Sequence, residues 1–180
     1  MTTYGGHFNN HNANSNSYVV EVSSTGKTNI QGGGFLGSGN CLKISNTSSV
    51  GSVVIGGDAS VTAQGGYAIS TNSAFKSVLT VGDLYFFPSI QGTDAAIYLL
   101  GTGTTNISGI PQVIGLTGIK ALGGTLNISG GTIEAKAVKE KKGGSGIEII
   151  GTQSDIVLNI TGGTITSAYS YAIHSQAAPL

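Results

Sequence analysis

Asn127-Ile128-Ser129-Gly130-Gly131-Thr132-Ile133 recurs as Asn159-Ile160-Thr161-Gly162-Gly163-Thr164-Ile165, and its first half recurs as Asn106-Ile107-Ser108-Gly109. The copies share an irregular period of roughly 20–30 residues, the signature of stacked supersecondary units. Aligning outward from these copies on apolar positions extends the pattern over the whole chain. One strand recurs as Thr28-Asn29-Ile30, Val53-Val54-Ile55, Leu79-Thr80-Val81, Thr105-Asn106-Ile107, Leu126-Asn127-Ile128 and Leu158-Asn159-Ile160. Its outer positions are mostly apolar and its middle position mostly polar, which is the alternation of a half-buried strand. Ile30, Ile55, Val81, Ile107, Ile128 and Ile160 are expected to stack as one inward column.

A glycine corner follows each copy: Gly32-Gly33, Gly56-Gly57, Gly82, Gly109, Gly130-Gly131 and Gly162-Gly163, with Gly5-Gly6 marking a partial first rung. Glycine adopts backbone angles that other residues resist, so a sharp turn is expected at each corner. A short second strand follows, clearest in Thr132–Ala135 and Thr164–Ser167. A third recurs through Val20, Leu42, Ile69, Ile97, Ile119, Ile147 and Ile173, which form a second inward column. The expected fold is therefore all-β: a single-domain parallel β-helix, or β-solenoid, over residues 1–180, with about seven rungs and three short strands per rung. At a strand spacing of about 4.8 Å, such a stack would be roughly 30 Å long. Glu134–Lys142 reads as an enlarged loop, because its rung is several residues longer than the others.

Composition agrees. Glycine supplies 30 of 180 residues, yet the strict triplet period of collagen is absent. Hydrophobic residues make up 39% and charged residues 9%, the reverse of a disordered chain. The formal net charge is zero, which argues against an electrostatically driven nucleic-acid or anionic-membrane partner. All eight basic residues are lysine, so bidentate arginine clamps on phosphate or carboxylate are excluded. Cys41 is the single cysteine, so no disulfide forms within the chain. No apolar run is long enough to span a bilayer, so membrane insertion is not expected.

The pattern Ile-Ser/Thr-Gly-Gly-Thr-Ile, followed later by small-Ile-polar, resembles the Gly-Gly-Thr-Ile repeats of bacterial surface and secreted right-handed β-helix proteins of the pectate-lyase-like group. The likeness is clearest in the last two rungs. It implies an extracellular or cell-surface setting and, among non-enzymatic members, adhesins and polysaccharide-binding modules. Phage tail spikes and lyases share the fold, so the fold alone does not select a function.

Candidate chemistry is sparse. Lyases of this group use clustered acids with a cationic base, whereas the eight acids here are scattered and arginine is absent. Glycoside hydrolysis needs two facing carboxylates. One pair suggests itself: Asp58 and Asp83 follow the glycine corners of successive rungs and are expected one strand spacing apart. They would repel unless a cation lay between them, and calcium with help from backbone carbonyls is the ion such oxygens take. Otherwise no cofactor is implied, and two solvated corner carboxylates are the plainer reading. His7 and His11 are a weak metal pair without acids or cysteine beside them. Glu21 with Lys43, and Lys120 with Glu148, occupy one outward slot in neighbouring rungs and should form cross-strand pairs that fix register. Asn29, Asn106, Asn127 and Asn159 form an outward column expected first of all to make an amide ladder; the same face could instead hydrogen-bond sugar hydroxyls. Asn127 and Asn159 also begin glycosylation sequons, an accidental match in mid-strand.

Aromatic residues concentrate in Leu84-Tyr85-Phe86-Phe87-Pro88, with Tyr98 shortly after. Sugars are bound on exposed aromatic faces, so Tyr85, Phe86 and Tyr98 are the candidate ligand-binding residues. The competing expectation is that Phe86 or Phe87 packs inside a widened rung. Lys136, Lys139, Lys141 and Lys142 form a basic loop that is solvated or meets acidic polysaccharide. Neither end of the repeat carries a recognisable cap. The sequence is thus expected to be a piece of a longer β-helix, or to stack end to end with other copies into an oligomer or filament. Binding of polysaccharide or a cell-surface partner leads, filament assembly follows, and lyase or hydrolase activity comes third. Ice binding comes last, because no regular Thr-x-Thr column recurs.

Overall fold

The computed structural model describes residues 1–14, 16–137, 143–151 and 156–177. The chain coils through seven levels. The first holds β1 (Thr2–Thr3), β2 (His7–Asn10) and β3 (Val20–Val22), and the second β4 (Lys27–Ile30), β5 (Gly34–Gly37) and β6 (Leu42–Ile44). The third holds β7 (Ser52–Ile55), β8 (Ser60–Ala63) and β9 (Ile69–Thr71), and the fourth β10 (Val78–Val81), β11 (Ser89–Gly92) and β12 (Ala95–Leu99). The fifth holds β13 (Thr104–Ile107), β14 (Gln112–Gly115) and β15 (Thr117–Ala121). The sixth holds β16 (Gly124–Ala135) and β17 (Ile147–Gly151), and the seventh β18 (Ile156–Ser167) and β19 (Ile173–Ala177).

Corresponding strands pair in parallel from level to level. The third strands make a seven-stranded sheet, β3-β6-β9-β12-β15-β17-β19. The first and second strands would make two more ladders. They join into one 12-stranded sheet because β16 and β18 run unbroken through the first corner. Two register shifts, at Ile128/Ser129 and Ser129/Thr132, carry the bend there, so the glycine corner expected at 130–131 is a bulge in a continuous strand. The enlarged loop of this level starts only after Ala135, since Glu134 and Ala135 belong to β16; residues 138–142 lie outside the described residues.

One glycine in every first corner has positive φ: Gly6, Gly33, Gly57, Gly82, Gly109, Gly131 and Gly163. The requirement is double, for the left-handed backbone and for close approach. At Gly57, with φ of 59°, a β-carbon would run into the carbonyl of Gln31 in the level beneath.

The core is three apolar columns inside the coil. Ile30, Ile55, Val81, Ile107 and Ile128 are buried in the first ladder, and Leu42, Ile69, Ile97, Ile119 and Ile147 in the third. A column from the second strands joins them: Phe35, Val61, Ile90, Val113 and Ile133. Each such side chain contributes about 1.5–3 kcal/mol on burial, so the interior rather than the polar surface holds the stack together. Ile160 and Ile173 keep the expected slots but are 43% and 41% exposed, because among the described residues no strand stacks on the outer side of the seventh level. Phe75 fills the corner between the third and fourth levels, lying where a β-carbon on Gly103 would be.

Candidate functional site

The first corner of the fourth level, residues 82–88, is longer than its neighbours and carries the candidate aromatics. Its flanks are locked: Val81 pairs with Ile55 and Ile107, and Ser89 with Ser60 and Gln112. The extra residues therefore bulge outward. Asp83 Oδ1 accepts the Tyr85 backbone N–H at 2.9 Å and starts the bulge as an Asx turn. Tyr85, Phe86 and Phe87 are 81%, 52% and 65% exposed, and Leu84 is exposed as well. The expectation that one phenylalanine packs inside is overturned. Unbroken register on both sides of the corner leaves the interior filled by Val81 and Ile90, so neither ring has a void to enter.

Tyr98 is not part of this patch. It faces outward from β12 in the third ladder, the side that the 82–88 corner does not border. There its ring stacks on Tyr67, with centroids 4.5 Å apart and planes 15° from parallel. Burial holds both phenols above the ordinary tyrosine range, and Tyr98, Asp94 and Tyr18 add to the effect at Tyr67. Tyr67 of the stacked pair lines a notch of about 250 Å³ together with Asp94, Thr117 and Lys120. Lower on the same face, the Lys43 ammonium lies 5.6 Å from the Tyr18 ring centroid.

A larger groove, about 610 Å³, lies at the far end of β11 from the aromatic corner. Thr62, Gln64, Gln91, Thr93 and Lys136 supply its polar lining and Ile114 an apolar patch. Sequence reasoning missed it. The available signal was the outward column Leu36, Thr62, Gln91, Ile114 and Glu134, which only the register of the second ladder reveals. Of the basic loop, Lys136 pairs with Glu134 at 3.1 Å, whereas Lys139, Lys141 and Lys142 lie outside the described residues.

Asp58 and Asp83 sit one residue out of step. Ile55 pairs with Val81, so Asp83 occupies the place of Gly57 rather than of Asp58. Both carboxylates turn toward the level beneath, Asp58 over Gly32 and Asp83 over Gly56, where the Gln31 side-chain oxygen also lies. No third acid joins them: among the described residues no group of three or more His, Cys, Asp or Glu converges, at this corner or around His7 and His11. Each described glutamate is tied to a lysine: Glu21 to Lys43 at 3.1 Å, Glu148 to Lys120 at 3.5 Å, and Glu134 as above. Glu21 also accepts the Ser45 hydroxyl, which with Lys43 lowers its carboxyl pKa. Burial pushes the Cys41 thiol up to about 12, so it is no nucleophile in the folded chain.

The amide ladder forms over three levels. Asn127 donates to Asn106 at 2.9 Å, and Asn159 donates to Asn127 at 2.8 Å. Asn29 shares the column but not the ladder, because Val54 and Thr80 separate it from Asn106. No helix among the described residues is long and apolar enough to cross a membrane. No protein-family model, no curated protein and no solved structure matches the chain.

Proposed function

We propose that this chain is a non-enzymatic, extracellular β-solenoid that binds polysaccharide on a cell surface or in its surroundings. One observation carries the reading: the fourth level breaks the tight coil to hold three aromatic rings in solvent on a corner braced by paired strands on both sides. A rigid, exposed ring gains from covering the apolar face of a sugar, at little cost in conformational entropy. The groove at the other end of β11 adds amide and hydroxyl groups, which suit sugar hydroxyls. Rings at one end of a short strand and hydrogen-bonding groups at the other suit a linear glycan laid along β11. The non-enzymatic part rests on the described glutamates, Glu21, Glu134 and Glu148, whose carboxylates are engaged by lysines instead of facing one another.

The experiment is a binding screen against immobilised neutral and acidic polysaccharides, comparing wild type with the Tyr85→Ala/Phe87→Ala double variant. Binding should weaken at least tenfold, about 1.4 kcal/mol or more. The melting temperature should stay within about 2 °C, because both side chains are surface residues without core contacts. Undiminished binding would remove the corner from the site. Tyr98→Ala separates the two faces: it should leave binding at the corner unchanged.

A further inference from the structure

The first and seventh levels leave apolar columns open. At one end Phe8 is 37% exposed, and with Thr3, Val20, Ile30 and Phe35 it lines a mouth of about 300 Å³. At the other, Ile160 and Ile173 are each more than 40% exposed, and among the described residues β18 and β19 each present one unpaired edge. Open parallel edges above a flat apolar layer are templates for another strand layer.

The geometry points to a specific occupant: a second copy of this chain, stacked head to tail so that β18 and β19 of one copy continue into β1, β2 and β3 of the next. The register of the coil predicts which residues would meet. Ile147 pairs with Ile173 and Val20 with Leu42, so continuing the third ladder sets Ile173 beneath Val20 of the next copy. In the second ladder Ile165 lies beneath Phe8, whose ring already stacks on Phe35 at 4.9 Å within its own copy. Three polar matches accompany these apolar ones. His174, beside Glu148 in the outward slot, comes beneath Glu21 of the next copy, where an imidazole N–H can donate to that carboxylate. Asn159, the last rung of the amide ladder, comes beneath Thr2, whose hydroxyl can donate to the open Asn159 carbonyl. The main-chain groups of β19 take up the free edge of β3. This association is independent of glycan binding and joins two different faces, so it propagates as a rod instead of closing as a dimer.

Sedimentation velocity over a concentration series, with electron microscopy of the same samples, tests the proposal on the 180-residue chain. Wild type should form a ladder of masses and rods lengthening in steps of about 34 Å, seven strand spacings. Val20→Lys blocks one end and Ile173→Lys the other. Each variant alone should stay monomeric, and an equal mixture should give a heterodimer and nothing longer. His174→Glu, at a surface slot that does not disturb the core, should weaken association at least tenfold, and circular dichroism checks that each variant keeps its strands. Wild type remaining monomeric at every concentration overturns the proposal and means that other chemistry covers these faces. Self-association of either lysine variant alone overturns the head-to-tail geometry, and an unchanged constant for His174→Glu overturns the register.

Discussion

At Gly57 a single hydrogen decides whether the corner closes. The residue combines positive φ with a carbonyl where a β-carbon would go, whereas Gly5 has no atom within 4 Å of that position. Gly57→Ala should cost about 2 kcal/mol or more, since the left-handed backbone alone costs an L-residue roughly 1–2 kcal/mol. Gly5→Ala should fall within about 0.5 kcal/mol of wild type. Urea unfolding of both variants checks the contrast, and equal losses would mean that glycine serves no steric purpose in the corners. Residues of this kind were legible from sequence, because a steric need repeated seven times leaves a repeated letter. The exposed rings of Phe86 and Phe87 were not. An apolar letter reads as core wherever the local register is unknown, and here the register on both sides of the corner expels it.

At the scale of the element, the regularity of a parallel ladder turns sequence columns into contacts. The pairs Glu21–Lys43 and Lys120–Glu148 and the amide bonds of Asn106, Asn127 and Asn159 all follow from outward slots that align between levels. Asn127 is the central rung, so Asn127→Ala removes two hydrogen bonds of about 0.5–1.5 kcal/mol each. Its loss should exceed that of Asn29→Ala, which lies in the same column outside the ladder, by about 1 kcal/mol or more. Denaturant midpoints at constant slope report the difference, and matching midpoints would mean that the ladder is decoration. The groove beside Lys136 was illegible for a related reason. Its lining comes from four successive levels, and no short motif in the sequence records that juxtaposition. The candidate aromatics were found by composition, yet proximity in sequence misled: Tyr98 lies soon after Phe87 and on another side of the coil.

For the whole molecule, each level touches only its neighbours, so stability is a sum of local terms and not a single cooperative unit. Levels three to five are covered above and below, whereas the first and seventh are covered once. Amide hydrogen exchange should therefore be slowest in β9, β12 and β15 and fastest in β3 and β19, a gradient along the axis. Uniform protection would instead indicate all-or-none unfolding. The same nearest-neighbour logic explains why the architecture could be read from one heptapeptide and its copies: a repeat that stacks on itself must repeat its packing residues.

The outward slot of the third ladder holds Glu21, Lys43, Ser70, Tyr98, Lys120 and Glu148 on the first six levels and His174 on the seventh. Written as formal charge, the first six levels read minus, plus, neutral, neutral, plus, minus, a palindrome to which the imidazole of His174 is added at one end only. A linear partner lying along those six levels would meet the same order of formal charges whichever way it ran. Over those levels direction must therefore be told by shape, by the Tyr67–Tyr98 stack and the notch beside Lys120, and not by formal charge.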